Sequence, residues 1–311
     1  MLLNGIYAQL GLILLILLWF ALSNRRTNIE SLVKVVSIAL LLLGLWLGGV
    51  WVYPPSYGLV IISLIFAAIG VHHFLKPVSD EGKLRVLVSS SPLLLILPIT
   101  CFLIFQGFSG RQVPKGKFIK LDAPFELDTG ACVISGGISP LLNFHIFPSD
   151  NPRDLGQQYA LDIIKVGPAG FRTKEGFRLN PKPQNIEAYE MFNTVVVSPC
   201  DGTVVEYQND LPDLAIGNSE KLKTGGNGVV LQCSEYHVHL HHMKQGSLTV
   251  TLGDQVRSGE KLGHIGNSGN TIEPHLHLHA ETIVERGNTN LHGNPVHMMF
   301  NGRFMARGDC F

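Results

Sequence analysis

The chain has 311 residues, with 24 Lys and Arg set against 24 Asp and Glu, and so no net charge. That length fits one large or two ordinary domains. The balanced charge gives no electrostatic footprint for nucleic acid, and that class of partner is set aside.

Composition divides the chain. Residues 1–110 are strongly apolar, whereas 111–311 read as a water-soluble domain rich in Gly, Pro and polar residues. The first part holds four apolar stretches: 3–23, 33–53, 56–74 and 86–108. A helix needs about 20 apolar residues to cross a bilayer, so each is read as a membrane span. The first is not a signal peptide, because it has no basic leading region and no small-residue cleavage site. The first connection holds Arg25, Arg26 and Lys34, and the third holds Lys76, Lys83 and Arg85. The middle connection, "YPPSY", has no cation. The bias toward Lys and Arg on the cytoplasmic side then places everything after residue 108 outside. Nothing charged stands mid-span, so transport has no support. The bundle reads as an anchor in the lipid bilayer, with any regulatory membrane partner left unnamed.

Five cysteines are present, and Cys101 falls in a span. Cys132, Cys200, Cys233 and Cys310 lie in the outer part, where disulfides persist. Four cysteines allow three pairings, and spacing does not choose among them.

The punctuation of 111–311 is that of a β protein. "TVVVSPCDGTVVEYQND" (194–210) reads as two β-branched runs around an Asp-Gly turn, a hairpin. "GGNGVVLQCSEYHVHLHHM" (225–243) opens on glycines and then alternates. Short strands between Gly turns fill 246–270. The expected architecture is a multi-pass α-helical membrane anchor followed by a mainly antiparallel β-sheet or sandwich.

Eleven of the thirteen histidines lie after residue 140. In "EPHLHLHAE" (273–281), His275, His277 and His279 stand two apart. A strand over 274–280 puts all three on one face and Leu276 and Leu278 on the other, toward a core. "EYHVHLHHM" (235–243) adds His237, His239 and His241 on one face, and His242 on the opposite face. Two His-rich strands side by side would make a metal site. No H-E-x-x-H is present, which excludes the helical protease arrangement.

"GDQVRSGEKLGHI" followed by "GNSGNTIEPHLHLHAE" resembles the C-terminal half of the M23 peptidases, the lysostaphin-like zinc endopeptidases. "QQYALDI" (157–163), "SPCDGTVV" and "HHMKQGS" agree with one branch of that family. The resemblance covers about 120–308 and implies one zinc ion per chain. By it His277 and Asp162 are zinc ligands, and His275 and His242 are catalytic. His239 and His241 are alternatives to His242, because the cluster allows a shifted alignment. The usual first ligand, four residues before the Asp, is here Gln158. A glutamine amide is a poor zinc ligand, so His145 of "NFH" is the expected third ligand. His279 is left to an outer contact or a wall of the cleft.

The implied function is a membrane-anchored zinc endopeptidase in the bacterial plasma membrane, facing outward. Its substrate would be the peptide part of peptidoglycan, or another extracytoplasmic peptide. The alternative is a degenerate relative that binds cell wall or regulates another hydrolase. A biotinyl- or lipoyl-type carrier is discarded, because "GNSGN" has no Lys to modify.

Overall fold

A computed structural model describes residues 2–51, 55–78, 83–126, 130–148, 152–178, 180, 182–220, 223–283 and 293–311. The chain divides into two compact units, Met1–Ser109 and Gly110–Phe311.

The first unit holds helices α1 (Leu2–Leu22), α2 (Asn28–Gly48), α3 (Gly58–Leu75) and α4 (Lys83–Ser109). Of these, α2 and α3 are long and apolar enough, among the described residues, to cross a membrane. The apolar stretches of the other two, Ile6–Leu22 and Ile96–Ser109, are shorter by that measure. The end of the expected span 33–53 falls outside the described residues. A small core of Ile13, Leu17, Phe20, Ile38, Leu41 and Leu45 joins α1 to α2. Leu14, Leu64 and Phe105 stay about two-thirds exposed, at 67%, 66% and 67%.

Helix α2 begins earlier than the apolar pattern suggests. Thr27 caps it, its hydroxyl accepting from the Glu30 N–H at 3.0 Å. This is the Thr-x-x-Glu start signal of a helix. Lys34 therefore lies inside α2, not in a connection. It is fully buried, with Nζ 2.9 Å from the Glu30 carboxylate.

The second unit is built on strands β1 (Phe118–Leu121), β2 (Ala131–Ser135), β3 (Leu161–Lys165), β4 (Val195–Val197), β5 (Gly202–Gln208), β6 (Asn227–Cys233), β7 (Tyr236–Met243), β8 (Gln255–Val256), β9 (Lys261–His264), β10 (Leu276–Thr282), β11 (Pro295–Phe300) and β12 (Arg303–Phe304). The main sheet runs β1-β11-β10-β7-β6-β5-β8, with β2 and β3 joined to it through β10 and β12 through β11. All its pairings are antiparallel except β1 with β11. The fold is mainly β, as expected. The expected hairpin over 194–210 does not form: β4 pairs with β9 in a separate ribbon, and β5 pairs with β6 and β8. The connection turns the chain out of the ribbon, with Ser198 N–H bonded to the Glu260 carbonyl and Ser258 N–H to the Asp201 carboxylate.

Strand β10 positions the site. It is flanked at its start by β3 and β7, and at its end by β7 and β11. Leu276 and Leu278 are fully buried in the core with Leu240, Val238, Leu161 and Ile163. Each such side chain contributes about 1.5–3 kcal/mol by leaving water. That anchorage fixes the register, because a slip of one residue would turn the histidines into the core. Two disulfides close the unit, Cys132–Cys310 and Cys200–Cys233.

Candidate metal centre

The register of β10 writes the site in rows. Asp162 on β3, His277 on β10 and His241 on β7 face one another across three strands. Behind them lie His279 opposite His239 and Glu281 opposite His237. The two histidine runs are thus neighbouring strands.

Asp162 is the hub. Its Oδ2 lies 3.0 Å from His145 Nε2, and its Oδ1 lies 2.9 Å from His277 Nδ1. His275 Nε2 is 3.7 Å from the same Oδ1. One donor atom from each of His145, Asp162 and His277 lies within 4.8 Å of the others. Burial raises the Asp162 pKa, but His145, His277 and His275 outweigh it and hold the carboxyl well below its usual range. Burial lowers the His145 pKa, and the Asp162 carboxylate more than reverses this, so the ring is raised. His277 is held low by burial, despite its bond to Asp162.

His145 sits on a loop, and its position is set by Asn143. The fully buried Asn143 amide donates to the carbonyls of Gly137, Gln158 and Ala160 at 3.1, 3.1 and 3.2 Å. Its Oδ1 accepts from the His145 N–H at 3.0 Å. Ser135 Oγ accepts from the Phe144 N–H at 2.9 Å. The loop is therefore tied to the start of β3, and His145 is carried to Asp162. Gln158 enters this network through its backbone carbonyl.

His242 corrects the sequence reading. Strict alternation places it opposite His241, yet its φ is +64°. The β6–β7 register shifts at this point, between Asn227 and Gly228. This irregularity brings the His242 ring to 4.7 Å from the His275 ring and 5.8 Å from the His277 ring, centroid to centroid. A left-handed non-glycine residue costs on the order of 1–3 kcal/mol, a strain typical of functional sites. Its Nδ1 lies 2.9 Å from the Ser268 carbonyl and so carries the proton, leaving Nε2 as the basic nitrogen. Burial, then the charges of His275 and His277, hold His242 well below the usual range.

His275 stands just before β10 rather than within it. Its Nδ1 lies 2.8 Å from the Glu273 carbonyl, again leaving Nε2 basic and aimed at Asp162. Thr271 Oγ1 lies 3.1 Å from the same nitrogen. The Glu273 side chain is locked by Arg172, whose Nε is 3.2 Å from both carboxylate oxygens. Arg172 and Glu273 escaped the sequence reading, since they lie 101 positions apart. Asn143 could have been found, because the Asn-x-His pattern was in view. His279 touches the centre, with Nδ1 3.1 Å from His277 Nε2.

Solved structures resemble this chain at low identity. The solution structure of lysostaphin is 21% identical over 33% of this chain and 37% of its own, with a TM-score of 0.24. The catalytic domain of lysostaphin from Staphylococcus simulans is 19% identical over 35% of this chain and 77% of that one, with a TM-score of 0.25. A zinc-containing peptidase from Vibrio cholerae is 17% identical over 44% of this chain and 48% of that one, with a TM-score of 0.25. The chain thus spans little more than a third of the length of lysostaphin. The sequence pattern of Peptidase family M23 matches residues 185–297. That span takes in His242, His275 and His277 and begins after His145 and Asp162. Residues 185–297 of this chain are a domain of Peptidase family M23.

Proposed function

We propose that residues 110–311 are a zinc-dependent endopeptidase that cleaves peptides of the bacterial cell wall. The observation that carries this is the convergence of His145, Asp162 and His277 within 4.8 Å, beside His242 and His275. Two imidazoles and one carboxylate fit zinc, and three protein ligands are the number a catalytic zinc site uses. When bound there, zinc would supply a Lewis acid that polarises a peptide carbonyl and acidifies water.

The chain's own residues would do the rest. His145, Asp162 and His277 would hold the ion. His242 and His275 each have Nδ1 fixed on a backbone carbonyl and present Nε2 as a base. One would take the proton from the attacking water and the other would give a proton to the leaving amine, or steady the oxyanion. Imidazole suits this work because it can both accept and donate a proton, and burial keeps His242 unprotonated and so ready to accept one. Asp162 holds the cluster together and stays ionised.

The wall substrate rests on the family domain and on the apolar first unit. Large apolar side chains of α1, α3 and α4 face outward, which suits lipid rather than water. We read the unit as a multi-pass anchor of four helices in the plasma membrane, with residues 110–311 outside. Two disulfides support an oxidising compartment. The test is digestion of purified sacculi by the full chain in detergent, with products read by mass spectrometry. Released peptides bearing new amino termini support the reading. Binding to sacculi without release would favour a wall-binding module.

A further inference from the structure

A second cluster lies beside the first. His239, His279 and Glu281 each bring a donor atom within 4.8 Å of the others, and all three are buried. His279 Nε2 is 3.3 Å from Glu281 Oε1, and His239 Nε2 is 3.9 Å from Glu281 Oε2. The His239 and His279 rings stack at 4.2 Å, so their edges reach the same carboxylate. His239 is 7% exposed, and among the described residues its buried Nε2 has no hydrogen-bond partner. A buried imidazole nitrogen left unbonded is destabilising, and a ligand there would relieve that cost.

The carboxylate is held in place. Gly293 N–H donates to Glu281 Oε2 at 2.8 Å. Gly156 lies over Glu281, where an added Cβ would stand 2.1 Å from Oε1. The cross-strand register, with His279 opposite His239 and Glu281 next along the same face, sets the two rings and the acid in a triangle.

We propose that His239, His279 and Glu281 form a second divalent-metal site, of the zinc class, separate from the centre at Asp162. Two imidazoles and one carboxylate are borderline donors that suit zinc and its transition-metal neighbours over calcium or magnesium. The His277–His279 contact joins the two sites at one ring edge. The second ion would stiffen β7 against β10 and fix the ring that backs His277.

The proposal stands on its own geometry, independent of the peptidase reading. The test is metal stoichiometry of the full chain in detergent, stripped with chelator and dialysed against zinc alone. Wild type should hold about two zinc ions above the baseline set by a Asp162→Asn/Glu281→Gln double variant. Glu281→Gln should lose one ion and keep one; Asp162→Asn should do the same. If wild type holds one ion and Glu281→Gln holds the same one, the proposal is overturned. It is also overturned if Asp162→Asn alone removes all the zinc. A weakened affinity with unchanged stoichiometry in Glu281→Gln overturns it too, since the cluster would then only position His277. Near-ultraviolet circular dichroism confirms folding, and His239→Gln, which removes a different ligand, provides an independent variant. Loss of the first site with retention of the second would count against the peptidase reading alone.

Discussion

His145 Nε2 lies 3.0 Å from Asp162 Oδ2, 17 positions away in sequence, while Gln158, four residues before Asp162, joins the surrounding network through its backbone carbonyl. His145→Ala should therefore cost as much zinc affinity as His277→Ala, and Gln158→Ala should cost less. Competition with a chromophoric chelator measures all three. Equal affinities for His145→Ala and wild type would remove His145 from the ligand set.

The two pairs of histidine roles separate in the same experiment. His242→Ala and His275→Ala should retain zinc at the centre and lose peptidase activity by about 100-fold or more, the scale of acid–base assistance. Full activity in His242→Ala, with loss in His239→Ala or His241→Ala, would reassign the upstream catalytic histidine.

Asn143 is predicted to act through His145. Its buried amide NH2 lies within hydrogen-bond distance of three carbonyls, so Asn143→Ala should destabilise the second unit by about 1–3 kcal/mol for unpaired groups. It should also weaken zinc binding by about 10–100-fold, as loss of outer support does. Unchanged zinc affinity in a folded Asn143→Ala would show that the loop holds itself.

Much of this site was legible in the sequence, and the reasons for the rest are physical. The two-residue spacing of His277 and His279 named a strand, because Leu276 and Leu278 needed a core. His145 was named from the sequence beside Asp162 and His277, and the structure brings donor atoms of the three within 4.8 Å. His242 was assigned to the wrong face, because a single positive φ reverses alternation and no residue type announces it. The 194–210 hairpin failed because an Asp-Gly turn specifies a reversal, not which strand each arm joins. Lys34 was read as a loop cation because its partner Glu30, one turn away, hides its charge inside α2.

Stability of the metal-free chain should depend on pH. Burial holds both His239 and His242 well below 6.5, with neighbouring imidazolium charges adding to it. Below about pH 6.5 the unfolded chain takes up protons at these two rings and the folded chain does not. Stability should then fall as pH drops below 6.5, by up to about 1.4 kcal/mol per pH unit for each ring. His145 works in the opposite sense, because its raised pKa adds stability below 6.5 that is lost as pH rises through the folded value. Two strongly lowered rings against one raised ring leave a net fall. Thermal unfolding in chelator from pH 7.5 to 5.5 checks this, and His242→Gln should flatten the slope. A melting temperature that rises on acidification would contradict it.

Orientation is open to a direct probe. A reporter fused after Phe311 that works only in an oxidising compartment should be active. One that works only in the cytoplasm should be inactive. The reverse pattern would remove the wall from reach.

Returning zinc to the chelator-stripped full chain, while following bound metal and peptide release from sacculi together, shows whether the metal at Asp162 drives peptide cleavage. Peptide release should rise as the centre at Asp162 fills. His275→Ala should take up the same zinc and release almost nothing. Release that continues without zinc, or wild-type protein that fills with zinc and frees no peptide, would rule out a zinc peptidase.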